Sequence, residues 1–185
     1  MAHNSFKKTI EEDLITLKTL NFEVIPAKQY YKKLLILFGG TWFKLVAIAL
    51  VGIFIAVKFN RGYQDEKYYD LPLAFILSFG FSVFMMGPLI RYYLIQYHLE
   101  GKLKIASIII EKMRFLGYFF LAIYTLATLP LTYFFFKDLG SGMIICAFIV
   151  SVFATQGLFA MEVNRLGIGT LLNALGEIID KLPKA

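Results

Sequence analysis

No Asp or Glu lies within the four longest apolar stretches of this chain, at residues 38–57, 71–90, 115–136 and 143–161. Proton-coupled carriers and pumps commonly hold acids inside the membrane, so that mechanism loses weight. Cysteine is nearly absent. The single Cys146 excludes an intrachain disulfide and any cysteine-based metal cluster. It sits in an apolar run and reads as a small, inert packing residue. The two histidines, His3 and His98, have no His, Cys, Asp or Glu three or four residues onward. The ligand set of a metal site is therefore not expected. No P-loop, G-x-S-x-G or H-E-x-x-H pattern occurs. Gly167-Ile168-Gly169 lacks both the third glycine and the preceding strand of a dinucleotide fingerprint. The expectation is a non-enzymatic protein with no cofactor and no metal.

What is present is apolar. Of 185 residues, 58% are hydrophobic, with 19 Phe and 11 Tyr, and the mean hydropathy is +0.67. Soluble domains are nearer half apolar, so lipid is the expected solvent. Each of the four stretches has the roughly 20 residues that cross about 30 Å of hydrocarbon. Their apolar runs are continuous rather than alternating, and a barrel needs at least eight strands. Backbone groups in lipid then require helices. The expected fold is all-α and polytopic, with four transmembrane helices arranged as two antiparallel hairpins.

Basic residues orient the chain. Lys7, Lys8, Lys18, Lys28, Lys32 and Lys33 precede the first span. Arg91, Lys102, Lys104, Lys112 and Arg114 lie between the second and third, and Arg165, Lys181 and Lys184 follow the fourth. The opposite side carries only Lys58, Arg61, Lys67 and Lys137. The positive-inside rule places both termini in the cytoplasm. Nothing near the N-terminus reads as a cleaved signal, and a bacterial inner membrane is the expected location. The net charge of +6 reads as topology and lipid contact, so no nucleic-acid partner is expected despite the general link between basic patches and nucleic acid.

Lys44 lies inside the first span. A helix entering the hydrocarbon at Leu34 would carry it about 15 Å deep, where a lysine costs about 2.5–3.5 kcal/mol. Entry near Phe38 lets Lys44 snorkel to the cytoplasmic interface beside Trp42. The alternative is a working charge within the bundle. Upstream, Pro26 suits a helix start, and Gly39-Gly40 permits a bend. Residues 26–40 read as an interfacial elbow helix, or else as a straight overhang of the first span. Gly87-Pro88 is expected to kink the end of the second span.

Amphipathic segments flank this 26–161 region. In residues 1–25, Phe6, Ile10, Leu14, Leu17 and Leu20 share a helical face. In residues 162–185, Leu171, Leu172, Leu175, Ile178, Ile179 and Leu182 do so, forming a candidate partner face. The connection 91–114 reads as extensions of spans two and three, broken near Gly101. Small residues recur at four-residue steps: Gly52 and Ala56; Ala74, Ser78 and Ser82; Ala147, Ser151 and Thr155. They are candidates for close helix packing, within the bundle or at an oligomer seam. Thr125, Thr128 and Thr132 can bond their own backbone around Pro130. Gln156 is the main polar side chain deep in the fourth span, and with Lys44 and Arg91 it completes the candidate polar sites. A faint echo of Phe79-x-x-Ser82-Val83-Phe84 in Phe148-x-x-Ser151-Val152-Phe153 reads as coincidence in so apolar a background.

The functional expectation is an accessory, regulatory, exclusion or immunity-type subunit that binds another membrane protein. The alternative is a small homo-oligomeric transporter or channel. The partners are the bilayer and either a membrane protein or further copies of the chain.

Overall fold

The computed structural model describes residues 25–59, 67–139 and 142–166, with positions 9, 12, 13, 15, 16 and 169. Among them are five helices and no strand: α1 (Ala27–Phe59), α2 (Lys67–Phe84), α3 (Met86–Leu99), α4 (Ala106–Leu139) and α5 (Gly142–Leu166). The partner face proposed at 171–182, and all five residues of the N-terminal apolar face, lie outside the described residues.

Helices α1, α4 and α5 are each long and apolar enough to cross a membrane, and α2 with α3 makes a fourth if the bent pair counts as one span. Only 22–28% of the residues in the apolar windows of the three single helices are buried within the molecule. Such helices would be unstable in water, since the apolar surface they leave outside needs an apolar surround. Phe43, Phe54, Leu126, Phe134 and Phe153 are each roughly 70% exposed on it.

Helix α1 is uninterrupted over 33 residues, about 50 Å at the α-helical rise. It runs straight through Gly39-Gly40 as helix, so residues 27–40 continue the first span rather than breaking from it. A glycine pair lowers the cost of a bend, but nothing forces one while each amide keeps its carbonyl four residues back. The overhang packs through Leu34 against Tyr93 of α3, with Tyr30 and Tyr93 rings 5.9 Å apart.

The second stretch does break. Met85 separates α2 from α3, and the two axes differ by 44°. The cause is Pro88. It lacks the amide that would bond the Phe84 carbonyl, and its ring crowds that carbonyl. Beyond Leu99 the chain turns at Gly101, whose φ of +80° is left-handed, a conformation natural to glycine. Helix α4 then starts at Ala106.

The core follows helical periodicity. Leu45, Val46, Ala49, Gly52, Ile53 and Ala56 form one buried face of α1. Ala74, Ser78 and Ser82 form that of α2. Phe120, Tyr124, Thr128 and Thr132 line α4, and Ile144, Ala147, Phe148 and Ser151 line α5. Lipid is as apolar as these interfaces, so close packing is what holds the helices together. Small residues permit the approach. A Cβ on Gly52 would stand 3.1 Å from Thr132 Oγ1 and 3.2 Å from the Thr128 methyl. That is the tightest glycine contact among the described residues, and it places α1 directly on α4.

Candidate functional site

Three places on the molecule combine polar chemistry with a shaped surface. The first is inside the bundle. Ser82 donates to the Ser78 carbonyl (2.9 Å), Thr132 to the Thr128 carbonyl (2.8 Å), Ser151 to the Ala147 carbonyl (2.6 Å) and Thr155 to the Ser151 carbonyl (2.7 Å). Thr125 donates likewise to the Leu121 carbonyl at 2.8 Å. These hydroxyls are spent on their own helices, which is how a short polar side chain is accommodated in an apolar medium. Of the eight small residues singled out by spacing, Gly52, Ala56, Ala74, Ser78, Ser82, Ala147 and Ser151 are buried within one copy of the chain, and Thr155 is half-buried. The Ser78 hydroxyl is buried without a hydrogen-bond partner among the described residues.

The second place is the end bearing the connection between α3 and α4. Asp13 is buried, at 4% exposure. Its carboxylate accepts the Ile105 amide at 2.8 Å and the Lys104 amide at 3.3 Å. Those amides precede the first turn of α4 and have no acceptor within the helix. A carboxylate there also meets the positive end of the helix dipole. A residue some 90 positions earlier thus caps the third apolar helix. Beside it, Glu12 pairs with Lys104 at 3.1 Å, but the side chains are 48% and 73% exposed. Such a pair contributes about 0–1 kcal/mol. Across the same end, Glu162 of α5 meets Lys112 of α4 at 3.3 Å and Arg165 at 2.8 Å. His98 is buried against the Tyr97 ring. Burial, reinforced by Lys102, pushes its imidazole below its ordinary range, so it is neutral at pH 7.

The third place faces outward. Helices α2 and α5 touch through Phe81 and Phe148, whose rings stack at 3.9 Å and 6°. Alongside this contact they part, leaving an open groove of about 720 Å³. Gly80 and Phe84 of α2 line it with Ile149, Phe153 and Gln156 of α5. Gln156 is exposed and lines the groove, and its side chain makes no hydrogen bond to the described residues.

No family model, curated protein or solved structure matches this chain. What the site can do must therefore be argued from its own geometry.

The three candidate polar residues do not converge. Lys44 is exposed on α1, and its ammonium stands 5.9 Å above the ring of Tyr118, itself 62% exposed. Arg91 is exposed on α3. Gln156 is exposed in the groove between α2 and α5. None of them lies inside the helix bundle, so they do not assemble a shared internal polar centre.

Sequence reasoning missed Asp13. Its signal was an acid on a helical segment, indistinguishable there from a solvated charge, and only the tertiary contact reveals its use. It missed the groove as well, although Gly80 and Gly157 offered a hint. A Cβ at either position would meet nothing within 4 Å, so neither glycine is needed for packing within one copy.

Proposed function

We propose that the chain is a non-enzymatic membrane interaction protein, an accessory or regulatory subunit that recognises another membrane protein through its lateral surface and cytoplasmic segments. In this reading four spans form two antiparallel hairpins with both termini in the cytoplasm of a bacterial inner membrane. The observation that carries it is the division of polar groups. Inside the bundle, most of the span hydroxyls bond their own backbone, which leaves little free chemistry facing inward. A recess between α2 and α5 lies on the outer surface of the described residues, and Gln156, one of the residues that line it, is exposed.

Lys44 fits this reading as a boundary marker. Its contact with Tyr118, four residues into the third apolar stretch, places the two near one level, and a lysine on the outer surface reaches headgroups by snorkelling. Purification in mild detergent from cells expressing the chain at native level tests the proposal. A stoichiometric membrane-protein partner, lost when groove residues are replaced, is the expected result. A strictly solitary monomer overturns it.

A second reading, a small homo-oligomeric transporter or channel, is favoured by the buried Ser78 hydroxyl and by the buried Tyr124 and Thr128 hydroxyls one helical turn apart. Four helices enclose little space, so several copies would have to supply the path. Flux in liposomes that is abolished by Gln156→Leu, with folding intact, would move the balance to this second reading.

A further inference from the structure

We propose that Lys44 of α1 and Arg114 of α4, set about the ring of Tyr118, hold the phosphate of an acidic phospholipid headgroup at the outer surface where the two helices meet. The inference needs only that the chain lies in a membrane, and it is independent of the protein-partner reading.

Three helices supply the site. The Lys44 ammonium stands 5.9 Å from the centre of the Tyr118 ring, within reach of a cation–π contact. Tyr118 follows Arg114 by one turn of α4. The Arg114 guanidinium faces the Tyr92 hydroxyl of α3 and, on its own helix, Tyr118. Lys44, Arg114 and Tyr118 are all exposed. The close approach of α1 to α4 at Gly52 holds the two cation-bearing helices side by side.

What the cluster lacks is an anion. Elsewhere at this end of the molecule Lys104 pairs with Glu12, and Lys112 and Arg165 pair with Glu162. Neither Lys44 nor Arg114 forms an ion pair with a carboxylate among the described residues. Glu100 acts on Arg114 only from a distance, and Glu111, three residues before it, makes no ion pair with it. Two like charges about one ring each raise the cost of the other. Lys44 also lies within the first apolar stretch, where a lysine without a counter-charge is expensive. A phosphate answers both needs, because its oxygens accept from a guanidinium and an ammonium together. A headgroup of net negative charge suits the site best, since a choline or ethanolamine would bring a third cation to it.

The surface beyond the charges points to a lipid rather than a free ion. Towards the middle of the bundle, Ala122 and Leu126 continue the Tyr118 face of α4 at helical spacing, and Val51 continues the Lys44 face of α1. All three are exposed. An acyl chain can follow this apolar track while its phosphate stays with the cations. Basic residues beside membrane spans attract acidic lipids in the same way.

The test uses the purified full chain in a neutral detergent, titrated with phosphatidylglycerol, phosphatidylcholine or inorganic phosphate. Binding is read from the rise in the thermal midpoint and from lipid retained per chain in native mass spectrometry. Phosphatidylglycerol should bind, with little effect from phosphatidylcholine. Lys44→Gln and Arg114→Gln should each weaken it about 5-fold, and together about 30-fold, the scale of basic residues at a membrane surface. Lys28→Gln with Lys32→Gln removes the same charge from exposed positions on α1 and should leave binding nearly intact. Tyr118→Leu keeps both charges but removes the ring between them, so it should weaken binding about 3-fold, whereas Tyr118→Phe should not. A cooperative transition without lipid shows that each variant is folded. Protection by inorganic phosphate alone, with the same dependence on Lys44 and Arg114, would keep the phosphate site and assign it to a free ion. Equal losses in the two double variants, phosphatidylcholine binding as tightly as phosphatidylglycerol, or binding indifferent to Lys44 and Arg114 overturns the proposal.

Discussion

At the scale of single residues, Gly52 shows how the bundle is held. Its position was legible in the sequence, as a small residue four steps from Ala56. Its partners were not. Thr128 and Thr132 were read only as groups that offset Pro130, because spacing along one helix says nothing about which helix it meets. With Thr132 Oγ1 at 3.1 Å and its methyl at 3.3 Å from a would-be Cβ, a larger side chain forces α1 from α4. Gly52→Leu should destabilise the protein by about 1–3 kcal/mol, the usual cost of overpacking. Gly117→Leu is the informative control. Gly117 lies on α4 with open space around it, so the change should be neutral or stabilise by up to about 1 kcal/mol through helix propensity. Thermal unfolding in detergent compares the two. Equal losses would mean that the close approach of α1 and α4 does not matter to stability.

At the scale of elements, long apolar helices were easy to foresee and their fastenings were not. The break after Phe84 follows from Gly87-Pro88, a local signal. The turn at Gly101 follows from one glycine between two charged helical ends. At Gly39-Gly40 two glycines make a bend cheap, but no proline removes an amide there, and of the two readings of residues 26–40 the uninterrupted helix favours the overhang. The Asp13 cap was beyond reach, since it joins positions about 90 residues apart through an ordinary-looking acid. It has a clear consequence. Asp13→Ala strips the acceptor from two amides at the start of α4, a change that typically costs about 0.5–2 kcal/mol at a helix N-cap. Hydrogen exchange should accelerate at Lys104 and Ile105 and remain unchanged at the middle of α4. Asp13→Asn, which keeps one acceptor oxygen, should fall between the two. Unaltered exchange at both amides in Asp13→Ala would show that the N-terminal segment does not fasten the connection.

At the scale of the whole molecule, the open question is how the apolar belt sits in the bilayer. The described ends of the helices carry unequal charge. Lys28, Lys32 and Lys33 at the start of α1, Arg91 and Lys102 on either side of the α3 terminus, Lys104, Lys112 and Arg114 before the third apolar stretch, and Arg165 at the end of α5 stand against Lys58, Lys67 and Lys137 at the other described ends. Short segments carrying more Lys and Arg stay on the cytoplasmic side, so the end fastened by Asp13 and Glu162 should face the cytosol. Two thiols decide it, each introduced alone in a Cys146→Ala background. Ser107→Cys is on the exposed surface at the start of α4, and Lys58→Cys is at the far end of α1. A membrane-impermeant maleimide added to intact cells should label position 58 and spare position 107 until the membrane is opened. The reverse pattern would invert the molecule. It would then turn the Asp13 and Glu162 contacts outward and deprive the cytoplasmic docking role of its surface.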